Sequence, residues 1–208
     1  MCSSDLKDDG ALVAGEFSEG KSDGTTAVYF PDGGWFQGQW VKGVILGYGE
    51  YEDGGGGKYK GYWKNDLQCG LGEESKPGEY TYKGEFMAGE RHGQGLLLLA
   101  DSSSYSGFFV NGKFEGKGTY RWSDGKTYSG DWLKGAMHGQ GEFNWPDGKK
   151  YNGGYINEKK HGFGVLTWPN NSKYEGEWSK GKQHGKGKLT LPDGTAMEST
   201  WLDGIIQK

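Results

Sequence analysis

The chain of 208 residues is long enough for one or two ordinary domains, but 42 of those residues are Gly, against roughly 7% in an average protein. Leu, Ile and Val are sparse beside 9 Trp, 13 Tyr and 9 Phe, so a thick aliphatic core is excluded and the buried area has to come from rings. The net charge of −4 is not basic enough for nucleic acid to be the main ligand, and there is no run of about 18 apolar residues to span a membrane.

Residues 1–11 read as a flexible lead-in. Met1-Cys2-Ser3-Ser4-Asp5 lacks a basic region followed by an apolar stretch, and Cys occupies position 2, so it reads neither as a signal peptide nor as a myristoylation site. Cys2 and Cys69, the two cysteines, supply neither a disulfide framework nor a zinc-ligand spacing; an intracellular, reducing compartment is the expectation. Charge is uneven along the chain: residues 1–104 carry 9 Lys+Arg against 17 Asp+Glu, and residues 105–208 carry 15 against 11. An elongated molecule of this kind is a weak dipole that can orient partners.

From residue 12 onward the sequence repeats itself. An aromatic-x-Gly-x-aromatic unit recurs around Gly38, Gly61, Gly84, Gly107, Gly130, Gly153 and Gly176, always 23 residues apart. Val13-x-Gly15-x-Phe17 is a worn first copy in the same phase, and Met197-x-Ser199-x-Trp201 a last one without its Gly. A second Gly follows nine residues after each first, and all of these except Gly24 are succeeded by another Gly two residues on. Each unit is punctuated by a turn signal: Asp32-Gly33, Asp124-Gly125, Asp147-Gly148 and Asp193-Gly194, with Gly55-Gly56, Asp101-Ser102 and Asn170-Asn171 in the same slot. Asp-Gly between alternating apolar runs is a hairpin signal, and a fixed period of this length signals a repeat array.

Side chains alternate faces along a strand, so Tyr128, Gly130 and Trp132 share one face, and Gly139, Gly141, Phe143 and Trp145 share the corresponding face of the next strand. The glycines leave room for rings of neighbouring strands to lie over them. An apolar pair continues that face at Val28/Phe30, Leu97/Leu99, Tyr120/Trp122, Phe143/Trp145, Leu166/Trp168 and Leu189/Leu191. Two strands per repeat at about 4.8 Å predict an all-β, elongated, single-layer antiparallel β-meander, twisted and curved, on the order of 80 Å long, with an aromatic groove. About eight hairpins and a truncated C-terminal repeat fill residues 12–208. The divergent end copies read as caps on the open edges, and an end-to-end homodimer stays open.

The pattern Y-x-G-x-W-x-x-G-x-x-H-G-x-G, with its apolar pair and D-G turn, resembles the MORN repeat (membrane occupation and recognition nexus) over about residues 12–204. A chain that is all repeat, without an appended enzyme domain, looks like the small MORN proteins of cilia, of the radial spoke head type. That resemblance implies a non-catalytic scaffold: a ciliary axonemal component that braces larger axonemal subunits in a multiprotein complex, resident in the cytoskeleton of the cilium or flagellum. It also implies an alternative, a membrane-cytoskeleton tether that binds anionic phospholipids.

The candidate partner-binding residues are the rings of the groove in the later repeats: Tyr105, Tyr120, Trp122, Tyr128, Trp132, Phe143, Trp145, Tyr151, Trp168, Tyr174 and Trp178. Tyr and Trp are the residue types that most often anchor protein interfaces. The lipid alternative rests on Lys180, Lys182, Lys186 and Lys188 within the basic second half, although these alternate with acids as on a solvated face. His92, His138, His161 and His184 all occupy one repeat position, roughly 10 Å apart, and read as turn residues and not as metal ligands. No Ser/His/Asp or Cys/His set emerges, and Gly54-Gly55-Gly56-Gly57 lacks the strand-to-helix setting and Lys-Ser/Thr of a phosphate loop, which leaves a floppy turn. Neither enzyme activity, cofactor nor metal is expected. Glu74 and Lys76 break the apolar-pair rule, either as a weak hairpin or as a gap in the ring-lined face for a partner side chain.

Overall fold

In a computed structural model the protein is described at residues 2–7 and 9–207. Among these every regular element is a strand: β1 (Cys2–Leu6), β2 (Leu12–Ser18), β3 (Lys21–Tyr29), β4 (Trp35–Val41), β5 (Val44–Glu52), β6 (Lys58–Lys64), β7 (Leu67–Lys76), β8 (Tyr80–Met87), β9 (Glu90–Leu99), β10 (Ser104–Val110), β11 (Lys113–Arg121), β12 (Thr127–Leu133), β13 (Ala136–Asn144), β14 (Lys150–Ile156), β15 (Lys159–Thr167), β16 (Lys173–Ser179), β17 (Lys182–Thr190), β18 (Ala196–Leu202) and β19 (Ile205–Ile206). The chain divides into two compact units, residues 1–100 with 109–112 and residues 101–108 with 113–208.

In the first unit β1 to β9 pair consecutively and antiparallel as a meander. In the second, β11 to β19 do the same. Residues 1–11, read from sequence as a flexible lead-in, contain β1, which runs from Cys2↔Glu16 to Leu6↔Leu12 along β2. The reason is the free ladder that β2 otherwise presents: its unpaired N–H and C=O groups recruit a strand.

Two kinds of turn alternate. The tight ones, such as Lys42-Gly43 and Lys134-Gly135, place both central residues at positive φ, as a type I′ hairpin requires. The Asp-Gly sites make a wider turn: Gly33 N–H donates to Phe30 O (3.1 Å), Gly33 is left-handed at φ 90, and the Asp32 carboxylate accepts the Gly34 N–H at 2.9 Å. The Gly54–Gly57 run uses the same device. Asp53 Oδ1 accepts from both Gly55 and Gly57 at 2.8 Å, so that turn is pinned and not floppy.

The repeat motif itself is the chemistry of a bulge. Opposite each first Gly the register slips, as between Gly130 and Asp131 on β12, where Gly130 faces Gly141 but Asp131 faces His138. Two extra residues on the second strand are absorbed by the left-handed Gly139, at φ 56. A bulge orphans backbone groups that must find partners. Tyr128 Oη donates to Asp131 O at 2.9 Å, and the Asp131 carboxylate accepts the Gln140 N–H at 2.8 Å. The tyrosine half recurs at Tyr59, Tyr82, Tyr105, Tyr151 and Tyr174, each donating to the carbonyl three residues on at 3.0–3.1 Å. The carboxylate half recurs at Glu85 and Glu177.

To reach that carbonyl the ring lies flat across two glycines, its own and the one opposite. A Cβ on Gly130 would sit 2.6 Å, and one on Gly141 2.5 Å, from the Tyr128 hydroxyl. Tyr82, Tyr105, Tyr128, Tyr151 and Tyr174 are therefore fully buried (0% exposed). Each meets the aromatic four residues later or that of the following repeat edge-on: Tyr128 has Trp132 at 5.1 Å and Tyr155 at 5.2 Å. Such pairs add about 0.5–1.5 kcal/mol each beyond burial. Trp132 and Trp178 donate their indole N–H to Gly118 O and Gly164 O at 3.1 Å.

The worn first copy solves the same problem with other residues. Val13 replaces the tyrosine and Thr26 replaces the glycine opposite; Thr26, 0% exposed, donates its hydroxyl to Glu16 O at 3.3 Å. The space vacated by the ring is filled by the threonine, and the bulge carbonyl keeps a donor.

Candidate functional site

Above this ring lattice runs a second layer, the residues that overlie the buried tyrosines. One column lies nine residues after each tyrosine position: Ile45, Gln68, Arg91, Phe114, Met137, Lys160 and Gln183. Phe114 stacks flat on Tyr105, centroids 3.8 Å apart. The other column is the apolar pair of each second strand.

The structure divides the eleven expected partner residues in two. Tyr105, Tyr128, Tyr151 and Tyr174 are fully buried, and Trp132 and Trp178 are 5% exposed, so these six have almost no surface to offer. Tyr120, Trp122, Phe143, Trp145 and Trp168 are half-buried. The first four touch in a row, Tyr120–Trp122 at 4.6 Å, Trp122–Phe143 at 5.2 Å and Phe143–Trp145 at 4.3 Å. Trp168 lies further along, where it joins Leu189, Leu191, Trp201, Gln183 and Pro169 around an open cavity of about 640 Å³. That volume is in the range of ordinary ligand pockets. Position in the motif separates the two sets: a ring set between paired glycines sinks, and one at the end of the second strand does not.

The first unit is lined differently. Its pair positions hold Val28/Phe30, Tyr51/Asp53, Glu74/Lys76 and Leu97/Leu99. Glu74 is held by Arg91, which binds its Oε2 through Nε and Nη2, both at 2.8 Å, with the guanidinium 4.4 Å above Tyr80 and 5.0 Å above Tyr82; a small pocket of about 100 Å³ remains beside it, lined by Tyr51, Gln68, Glu74 and Tyr80 among others. Lys76 turns to Glu79 at 2.7 Å. A pocket of about 370 Å³ beside that turn is lined by Lys76, Pro77, Tyr80 and Leu99 among others.

In the second unit Lys160 occupies the Arg91 column. Its Nζ lies 4.7 Å from the ring of Trp178, 4.8 Å from Tyr151 and 5.3 Å from Trp145, and Lys149 Nζ sits 4.4 Å over Trp145. Desolvation by the rings, then repulsion from Lys149, lowers the Lys160 amine to about 8. Burial pushes the phenols the other way, with Tyr82 and Tyr105 raised to about 12.

Lys180, Lys182, Lys186 and Lys188 are all exposed. Lys186 and Lys188 stand on the face opposite the rings, across from Thr200 and Glu198, and among the described residues none of the four is in an ion pair. The histidines precede the left-handed glycines of the bulges; His184 Nδ1 lies 3.8 Å from Asp203. Among the described residues no group of three or more His, Cys, Asp or Glu could hold a metal, and no helix is long and apolar enough to cross a membrane.

A bulged meander repeated in phase, with a buried tyrosine at each bulge, defines an all-β repeat protein. Residues 36–58, 59–78, 82–104, 105–127, 128–150, 151–173 and 174–196 match the MORN repeat. The chain belongs to the MORN repeat family. No curated protein matches it significantly. Among solved structures it is similar to the TCP10 domain of Danio rerio CPAP, at 13% identity and TM-score 0.51, covering 95% of this chain and 94% of that one. It also resembles the SAS-4 (dCPAP) TCP domain of Drosophila melanogaster, solved with a proline-rich motif of Ana2, at 10% identity and TM-score 0.40, covering 96% and 90%. At 13% identity the likeness to the Danio rerio domain is one of fold.

Proposed function

We propose that this MORN repeat protein is a non-catalytic scaffold that docks a segment of another protein on the ring-lined side of its second unit. The observation that carries this reading is the row Tyr120, Trp122, Phe143 and Trp145, half-buried and in mutual contact, with the Trp168–Trp201 cavity beyond it. Aromatic anchors beside a pocket are where interface energy concentrates. An axonemal setting, as a radial spoke head-like brace between larger subunits, is supported by the resemblance of the repeat array to that of small ciliary MORN proteins.

Proximity labelling in a ciliated cell tests both parts. With the full chain as bait, axonemal proteins are expected to dominate and to be lost when Trp122, Trp145 and Trp168 are changed to Ser together. Neighbours indifferent to that change, or membrane proteins lost only when Lys180, Lys182, Lys186 and Lys188 become Gln, would contradict the proposal.

A further inference from the structure

The column over the buried tyrosines carries a long cation twice, and the two are handled in opposite ways. Arg91 and Lys160 each lie nine residues after their own tyrosine, Tyr82 and Tyr151, and two before a left-handed glycine. Arg91 meets the Glu74 carboxylate, which stands opposite Tyr82 in the ladder. The residue opposite Tyr151 is Phe143, so the built-in anion is replaced by a ring.

Around Lys160 there are Trp145, Tyr151 and Trp178, and among the described residues no carboxylate is in an ion pair with it. The titratable groups that face it are Lys149 from the turn before β14, and Tyr151 and Tyr155 on β14, the latter opposite Lys160 in the ladder. From β16 comes only the indole of Trp178. Two cations thus share one aromatic wall. Cation–ring attraction offsets part of the desolvation, yet a long charged side chain held among rings without a counter-ion is costly.

We infer that Lys160 is the polar anchor of the ring-lined face and takes an aspartate or glutamate side chain of the docked partner, as Arg91 takes Glu74 within the chain. This inference rests on the docking face proposed above and gives its occupant a chemistry: an apolar or aromatic segment carrying an acid. The lowered basicity of Lys160 agrees with an amine that lacks its counter-ion. It also makes the anchor pH-sensitive, because the ammonium needed for the carboxylate is lost as pH rises through about 8.

The chain supplies its own control substitution. Met137 fills this column one repeat earlier, so Lys160→Met keeps a side chain the lattice already accepts and should melt no lower than the parent. Random 12-residue peptides, displayed through their C-termini so that acids come only from side chains, are selected on the full-length protein. The recovered sequences are then made as amides in pairs, acid against its Gln or Asn counterpart, and titrated by Trp fluorescence. We expect enrichment of Asp or Glu beside aromatic residues, and at least about tenfold tighter binding of the acid form. That preference should vanish in Lys160→Met, and in Lys160→Arg it should persist from pH 7 to 9.5, where the parent loses it. Selected peptides without acid preference, or a preference that survives Lys160→Met, would overturn this inference and leave the docking face standing. Recovery of no peptide at all would remove both. Binding of phosphatidylserine vesicles that needs Lys160 and resists the selected peptides would replace the protein carboxylate by a lipid headgroup.

Discussion

The two units are built on one lattice and differ in what lies over it. In the first, Tyr59 and Tyr82 lie across paired glycines and hold the bulge carbonyls at 3.0 Å; in the second, Tyr105, Tyr128, Tyr151 and Tyr174 do the same. Above that common floor the first unit pairs Arg91 with its own Glu74, while the second presents Trp122, Trp145 and Trp168 and a lysine that among the described residues is in no ion pair. Positions that recur in every repeat therefore make the fold, and positions that vary in phase with it carry what distinguishes one stretch of the protein from another.

The largest expected effect tests the shared lattice. Tyr82→Ala and Tyr128→Ala should each cost about 3–5 kcal/mol, the usual range for deleting a buried ring, and to a similar extent in both units. Denaturant melts showing one of them near neutral would break the equivalence. Gly141→Ala comes next at about 1–3 kcal/mol, because its Cβ collides with the Tyr128 ring.

Alkali should act on both units together. The buried phenols are held above the ordinary tyrosine value of about 10, so the folded state keeps protons that the unfolded chain releases. Their contribution is complete below pH 10 and is lost as pH rises from 10 towards the folded values. Cooperative loss of the β-sheet circular dichroism signal above pH 10, in step with the part of the rise in tyrosinate absorbance at 295 nm that exposed phenols such as Tyr29, Tyr48 and Tyr62 do not account for, is the expected reading; the full tyrosinate absorbance reached before unfolding would contradict the burial.

Smaller effects separate the units. Glu74→Gln should destabilise by about 1 kcal/mol, since it leaves Arg91 without its counter-ion among the rings. Lys160→Met should instead stabilise, by less than about 1 kcal/mol given the partial exposure of the amine. Its folded value lies below that of an unfolded lysine, so the gain is constant under pH 8 and fades between 8 and about 10.4. Equal and opposite signs at two positions of one column, read as melting temperatures across pH 6–10, sharpen the comparison; the same sign at both would blur it.

Much of this was legible in the residues alone. The 23-residue phase located the strand pairs from β2 to β18 but not the pairing of β1 with β2, and the glycine pairs announced room for rings. What stayed hidden was depth: Tyr128 and Trp145 share a face by alternation, and only the bulge, which draws the tyrosine hydroxyl down to Asp131 O, shows that one is core and the other surface. Arg91 and Glu74 lie 17 residues apart on strands with one between them, so their meeting depends on a register that periodicity does not supply. The Lys160 column was readable as a stripe at the same spacing, once it was known that something must lie over each tyrosine.

The decisive measurement is site-specific photocrosslinking in a ciliated cell, with benzoylphenylalanine placed at Trp122, Trp145 or Trp168 on one face and at Lys117, Gln140 or Lys186 on the other. A common partner band from the first three positions and none from the second three is what a ring-lined docking face predicts. The same partner crosslinked equally from both sides, or from the lysine side alone, would contradict it.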